Sequence, residues 1–267
     1  MHCVYTTRLY NPKTITYNLY MISKNRISQI RKLHAKKFRD ESGLFLVEGY
    51  KSVEMLCDSD FAVEEIFATE NALRDNDSWL KDRAITMVSV EEMSRISTMQ
   101  TPPEFLAIAQ QRTTLPEIPG DQPVLVLDHI SDPGNLGTII RTADWFDIRH
   151  IVCSPDCVEF YNPKTIQATM GSFAHICVHR TPLVPFLQRE RSRRRILGTF
   201  LNGESIRDFE LQSSDMVIIG NESNGISDEV AETVTHRITI PSPARDRATA
   251  ESLNAAIAAA IVMSNWR

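Results

Sequence analysis

Five short apolar runs in the second half of the chain constrain its fold most: VLVLDHI (124–130), HIVCS (150–154), ILGTFLN (196–202), MVIIG (216–220) and RITI (237–240). A nearly continuous apolar run of this length suits a strand buried on both faces, as in a parallel sheet covered by helices. Helical patterns separate the runs, and the chain closes on ESLNAAIAAAIVMSNW (251–266). The grammar predicts an α/β domain over residues 124–267.

A break precedes it. TTLPEIPGDQP (113–123) carries three prolines and a glycine among polar residues, and proline continues neither a helix nor a ladder, so this is a linker. Before it, a basic helical pattern (about 24–39) leads into the strand LFLVEG and a helix from YKSVEML. The strand VEEIFAT, a short helix near NALRDNDSWL, the strand AITMVSV, the helix EEMSRIS and the strand FLAIAQQ follow. Residues 21–112 therefore read as a small α/β domain. Residues 1–20 read as a disordered tail or as an extended start upstream of Met21. The hexapeptide YNPKTI recurs at 10–15 and 161–166, at no period that would indicate a repeat architecture.

Composition excludes several classes. No apolar run approaches the roughly 18 residues of a membrane span, and the N-terminus lacks the apolar core of a secretory signal. Five scattered cysteines suit a reducing cytoplasm, and Cys153 and Cys157 read as strand-end or core thiols rather than metal ligands. The net charge of −5 argues against a wholly basic surface. Two local runs nonetheless point to a polyanion: residues 24–39 hold seven cations and no acid (Lys24, Arg26, Arg31, Lys32, Lys36, Lys37, Arg39), and RERSRRR (189–195) holds five arginines.

Three strand-end loops share one design. SDPGNLGTIIRTADWF (131–146) bares its backbone at Gly134 and Gly137 and then opens a helix. On that helix Leu136, Ile139, Ile140 and Ala143 form the packed face, while Thr138, Arg141 and Trp145 share another. A helix start with free amides favours a polar or anionic ligand, but the spacing fits neither a dinucleotide fingerprint nor a P-loop. IIGNESNGIS (218–227) ends a strand in Gly220 and sets Asn221 and Glu222 beyond it, with Ser227 placed to cap the next helix. ITIPSPARDRATAESLNAAIAAAI (238–261) brings Ser252 and Asn254 to the start of a helix of small residues. In open α/β sheets such strand-end turns form the ligand crevice.

DPGNLGTIIRTA, GNESNGIS and IP…SLNAAIAAAI, in that order, resemble the three motifs of the SpoU (TrmH) family of SPOUT-class RNA 2′-O-ribose methyltransferases. The front half is similar to that family's L30e-like substrate-binding domain. The resemblance implies a trefoil-knotted α/β methyltransferase domain preceded by a small α/β RNA-binding domain, with S-adenosylmethionine as cofactor, no metal, and a homodimer. It assigns Asn135, Arg141, Glu222, Ser252 and Asn254 to the polar catalytic set. It places the cofactor against Leu201, Asn202, Gly203, Ile219, Gly220, Ile240 and Leu253. RNA would lie on the cations of residues 24–39. The loop SPARDRATAE (242–251) is longer and more charged than the family's usual turn, so Arg245, Asp246 and Arg247 read either as further RNA contacts or as solvated loop. The competing reading, from another class, is an RNA-binding or ribosome-assembly protein whose methyl transfer is vestigial; a nucleotide-dependent oxidoreductase fails on loop spacing.

Overall fold

The computed structural model describes residues 16–19, 22–73, 78–80, 83–243 and 251–266. They fall into two compact units. One is the chain up to Thr113 together with Tyr161–Ala174; the other is Thr114–Phe160 with the chain from His175 onward.

In the first unit, strand β1 (Thr16–Leu19) precedes helices α1 (Lys24–Lys32) and α2 (Lys36–Ser42). Then come β2 (Leu44–Glu48), α3 (Tyr50–Cys57), β3 (Val63–Thr69), β4 (Ala84–Val88), α4 (Val90–Ile96) and β5 (Phe105–Gln110). The strands form one mixed sheet in the order β1-β4-β3-β5-β2. β1 runs within the stretch that the sequence reads as a tail, and it pairs in parallel with β4.

Two local expectations change here. The basic pattern is two helices rather than one: Ser23 caps α1 through its side chain, Leu33 ends it, and α2 restarts after Ala35. His34 in the turn meets the Ile96 carbonyl at 2.9 Å. Of NALRDNDSWL, residues 74–77 lie outside the described residues, and Ser78–Leu80 is a single 3-10 turn. α4 starts as an N-terminal box, with Ser89 and Glu92 each bonding the other's backbone N–H.

The same unit takes in α6 (Pro163–Thr169), which the sequence places in the second half of the chain. The Tyr161 ring packs at a tilt 4.6 Å from that of Phe45, and Phe173 closes on Phe45 and Phe61 at 6.0 and 5.8 Å. These rings join the apolar interior of the small domain.

In the second unit, β6 (Val124–Leu127) leads to α5 (Pro133–Trp145) and β7 (His150–Cys153). β8 (Cys177–Arg180), α7 (Leu183–Glu190), β9 (Ile196–Ser205), β10 (Met216–Ile219), α8 (Asp228–Ala231), β11 (His236–Thr239) and α9 (Ala255–Ser264) complete it. The sheet has six strands in the order β11-β9-β10-β6-β7-β8, and every pairing is parallel. The five apolar runs supply five of these strands. The sixth, CVHR, is only partly buried and lies at the sheet edge, so it carries no apolar signal.

α5 packs as its pattern requires. Leu136, Ile139, Ile140 and Ala143 are fully buried, while Thr138, Arg141 and Trp145 are exposed. Burial of each large apolar side chain stabilises the fold by roughly 1.5–3 kcal/mol. Because β6 and β10 are parallel neighbours, the turns after them emerge side by side at one edge of the sheet. That adjacency positions the site. Among the described residues no helix is long and apolar enough to cross a membrane, and no three His, Cys, Asp or Glu side chains cluster as metal ligands.

Candidate active site

The first loop is preorganised by its own residues. Asp132 caps α5, accepting from the Asn135 backbone N–H at 2.7 Å, and Pro133 starts the helix without needing a partner for a missing N–H. Asn135 therefore stands in the first turn of the helix, half-buried.

In the second loop, Asn221 and Gly225 exchange both backbone hydrogen bonds at 2.9 Å. The Asn221 side-chain oxygen also accepts from the N–H groups of Ser223 and Asn224. Gly225 adopts φ +69°, and a Cβ on Gly220 would lie 2.2 Å from the Gly225 carbonyl carbon. Both glycines are thus required by the turn. Two further ties hold this turn to the end of β6. Asn221 donates to the His129 carbonyl at 2.9 Å, and Ser227 bonds the buried Asp128 carboxylate through both its N–H and its hydroxyl at 2.8 Å. Ser227 occupies the cap position of α8, but its side chain serves Asp128 rather than that helix. Asp128 also meets His129 Nδ1 at 2.8 Å, a hydrogen bond that raises the imidazole's affinity for a proton.

The three loops meet. Asn135 Nδ2 donates to the Glu222 carboxylate, and Asn254 Nδ2 donates to Asn135 Oδ1 at 3.0 Å. Ser252 Oγ donates to the Glu222 backbone carbonyl at 3.0 Å. Asn254 also caps α9, accepting from the N–H groups of Ala256 and Ile257. Four of the five residues assigned to catalysis therefore form one hydrogen-bonded network. The fifth, Arg141, projects from α5 to solvent and has neither a hydrogen bond nor an ion pair among the described residues.

Beside this network lies a cavity of about 800 Å³. Its lining includes Leu201, Asn202, Ile219, Gly220, Ile240 and Leu253, all expected against the cofactor, together with Glu222 and Ser252. Thr199, Phe200, Thr239 and Ala258 add wall that the sequence reading did not assign. The ladder between β9 and β11 explains the wall: it jumps from the Gly198–Arg237 pair to the Glu204–Ile238 pair, leaving residues 199–203 out of register. Gly203, also expected against the cofactor, follows Asn202 and backs onto the β11 main chain, where a Cβ would lie 2.7 Å from the Arg237 carbonyl oxygen. Arg245, Asp246 and Arg247 lie outside the described residues.

The basic stretches divide sharply. Arg39 is a correction: it is 2% exposed and donates to the Leu33 carbonyl at 2.7 Å, so it braces the small domain and is out of reach of RNA. Arg26 pairs with Glu65, Lys36 with Asp40 and Lys37 with Glu41. Lys24, Arg31 and Lys32 are exposed. In RERSRRR, Arg194 is buried against the Pro119 and Gln122 carbonyls, and Arg195 forks onto the fully buried Asp215. Those two arginines hold the fold. Cys153 and Cys157 are buried free thiols, as their strand-end positions suggest.

Solved structures that share this α/β fold place the chain among the RNA methyltransferases. One, from Porphyromonas gingivalis and assigned to the TrmH family of RNA methyltransferases, superposes with a TM-score of 0.81 at 34% identity, covering 93% of this chain and 99% of that one. Another, an S-adenosylmethionine-bound rRNA methyltransferase from Sinorhizobium meliloti, gives 0.79 at 26% identity, covering 92% and 97%. Residues 122–264 match the model of the SpoU rRNA methylase family, and residues 24–107 match an MRM3-like substrate-binding domain. The chain belongs to the SpoU rRNA methylase family. Among its relatives, the 23S rRNA (guanosine(2553)-2′-O)-methyltransferase of Bacillus subtilis is 30% identical over 246 residues, spanning 91% of this chain and 96% of that protein.

Proposed function

We infer that the chain is an S-adenosylmethionine-dependent methyltransferase that methylates a ribose 2′-hydroxyl of ribosomal or transfer RNA. The observation that carries this reading is the Asn254–Asn135–Glu222 network, which draws three separate loops to the rim of one cavity.

The cavity fits the cofactor. Its volume suits a nucleoside with an amino-acid arm, and its walls combine apolar side chains with the polar 220–225 turn. Bound there, S-adenosylmethionine supplies an electrophilic sulfonium methyl. Leu201, Ile219, Ile240 and Leu253 would flank its apolar surfaces, and Asn202 and the 220–225 turn would meet its polar groups.

The protein's own part is alignment and charge. Arg141 supplies a guanidinium cation, which serves as a fixed charge rather than as a base. Lacking an acidic partner among the described residues, it is available to clamp the adjoining phosphate and to stabilise charge developing on the attacking oxygen. Glu222, anchored by Asn135, and Ser252 orient the ribose. Holding the hydroxyl in line with the methyl group supplies much of the acceleration.

The small domain and its unpaired cations hold the RNA. The reading includes a homodimer, supported by the exposed Ile257 on α9, a helix of small and apolar residues that suits a second copy. The threading of α9 through a trefoil knot, and a cytoplasmic site of action for a chain whose described cysteines are free thiols, complete the reading.

Incubation with labelled S-adenosylmethionine and ribosomal or transfer RNA tests it. Label should appear in 2′-O-methyl nucleosides after digestion. Folded protein that binds RNA and leaves ribose unlabelled would favour the ribosome-assembly alternative instead.

A further inference from the structure

Seven cations crowd residues 24–39, yet the fold leaves them in very different states. Arg26, Lys36 and Lys37 are matched by carboxylates, and Arg39 is buried. The remaining three, Lys24, Arg31 and Lys32, have no ion pair among the described residues, and all three border one groove of about 450 Å³ between α1 and α2. Ile27, Ala35 and the half-buried ring of Phe38 complete its lining. Lys32 Nζ lies over that ring at 5.5 Å from its centroid, so the aromatic surface faces a cation. A neighbouring hollow of about 260 Å³, which Phe38 also lines, carries Glu41, and that acid is paired with Lys37.

We propose that this groove is a nucleotide subsite, in which Phe38 stacks one unpaired base of the RNA substrate while Lys24, Arg31 and Lys32 bind the phosphates on either side of it. The proposal rests on RNA being the substrate and adds where on the small domain a nucleotide sits and in what form. An aromatic ring offers a surface to any base, and cations edging it follow the backbone; the combination selects single strands without selecting sequence. A plain anion site would need no ring. A duplex would keep its bases stacked and present only phosphates.

The test uses the full-length protein with single-stranded oligouridine, a paired duplex of equal length, and inorganic phosphate, each at matched ionic strength. Oligouridine should bind more tightly than the duplex, and inorganic phosphate should not compete beyond its ionic-strength effect. Phe38→Leu keeps the apolar volume and should weaken oligouridine binding by about tenfold while leaving duplex binding unchanged. Arg31→Ala with Lys32→Ala should lower the slope of log affinity against log salt by about 1.4, at about 0.7 per phosphate contact on a single strand. Lys36→Ala, already neutralised in the fold by Asp40, should change neither. Both test variants should bind S-adenosylmethionine as the parent does. The proposal is overturned if Phe38→Leu binds oligouridine at parental affinity, if the double variant keeps the parental salt slope, or if phosphate competes as well as oligouridine. Groove-dependent RNA binding by a protein that transfers no methyl group would uphold the subsite and remove the enzymatic reading.

Discussion

The side-chain amide of Asn135, in the first turn of α5, donates to the carboxylate of Glu222, 87 residues further along the chain. A second amide, from Asn254, closes on the other end of Asn135. One asparagine thus joins the loop after β6, the loop after β10 and the cap of α9.

Replacing Asn135 by Ala would unfasten that junction without opening the core, since Asn135 is only half-buried. Methyl transfer should fall by about 100-fold or more, in the range for loss of one oriented polar group at a reacting centre. Calorimetry should show S-adenosylmethionine still binding, because Asn135 does not line the cavity. Activity within a few-fold of the parent would remove the network from the mechanism.

Arg141 gives a different pattern. It is exposed, so Arg141→Ala should unfold at the parental temperature while activity collapses by about 1,000-fold. Arg141→Lys should recover little, because an ammonium cannot reproduce the two-pronged contact of a guanidinium with phosphate. Single-turnover rates on RNA, measured beside thermal melts, separate the two effects.

Gly220→Ala tests the turn itself. Its Cβ would meet the main chain of Gly225 at 2.2 Å, which no side-chain adjustment relieves. The substitution should cost about 1–3 kcal/mol of stability by overpacking and abolish cofactor binding together with activity. Parental denaturant midpoint and parental cofactor affinity would contradict the geometry.

The acid side of the stability profile should reflect two histidines in adjacent strands. Burial, followed by the neighbouring His150, holds His179 down to about 4, and burial likewise lowers His150. Because the unfolded chain takes up these protons at about 6.5, stability is complete above that value and is lost as pH falls towards about 4. Melting temperatures measured across this window should drop on acidification. His179→Gln should flatten the drop, and an unchanged slope would place the linkage elsewhere.

The strands of the second unit were legible because each buried strand is a local apolar run, and the packed face of α5 was legible from its spacing. Strand β8 was not, since an edge strand that is partly exposed is spelled CVHR. The split between α1 and α2 was hidden for another reason: the basic pattern continues through a turn whose His34 is held by the Ile96 carbonyl, far away in sequence.

Sequence by itself determined the alternation of strand and helix, the apolar faces, and the three glycine-bearing turns, because each is written in the spacing of neighbouring residues. It also supplied, by resemblance, which polar residues to watch. Only the tertiary structure decided that Asn135, Glu222 and Asn254 touch, and that Arg39 and Arg195 are structural while Lys24, Arg31 and Lys32 stay available. The reason is physical: strand order sets which turns lie side by side, and a cation's freedom depends on whether the fold brings a distant carboxylate to it.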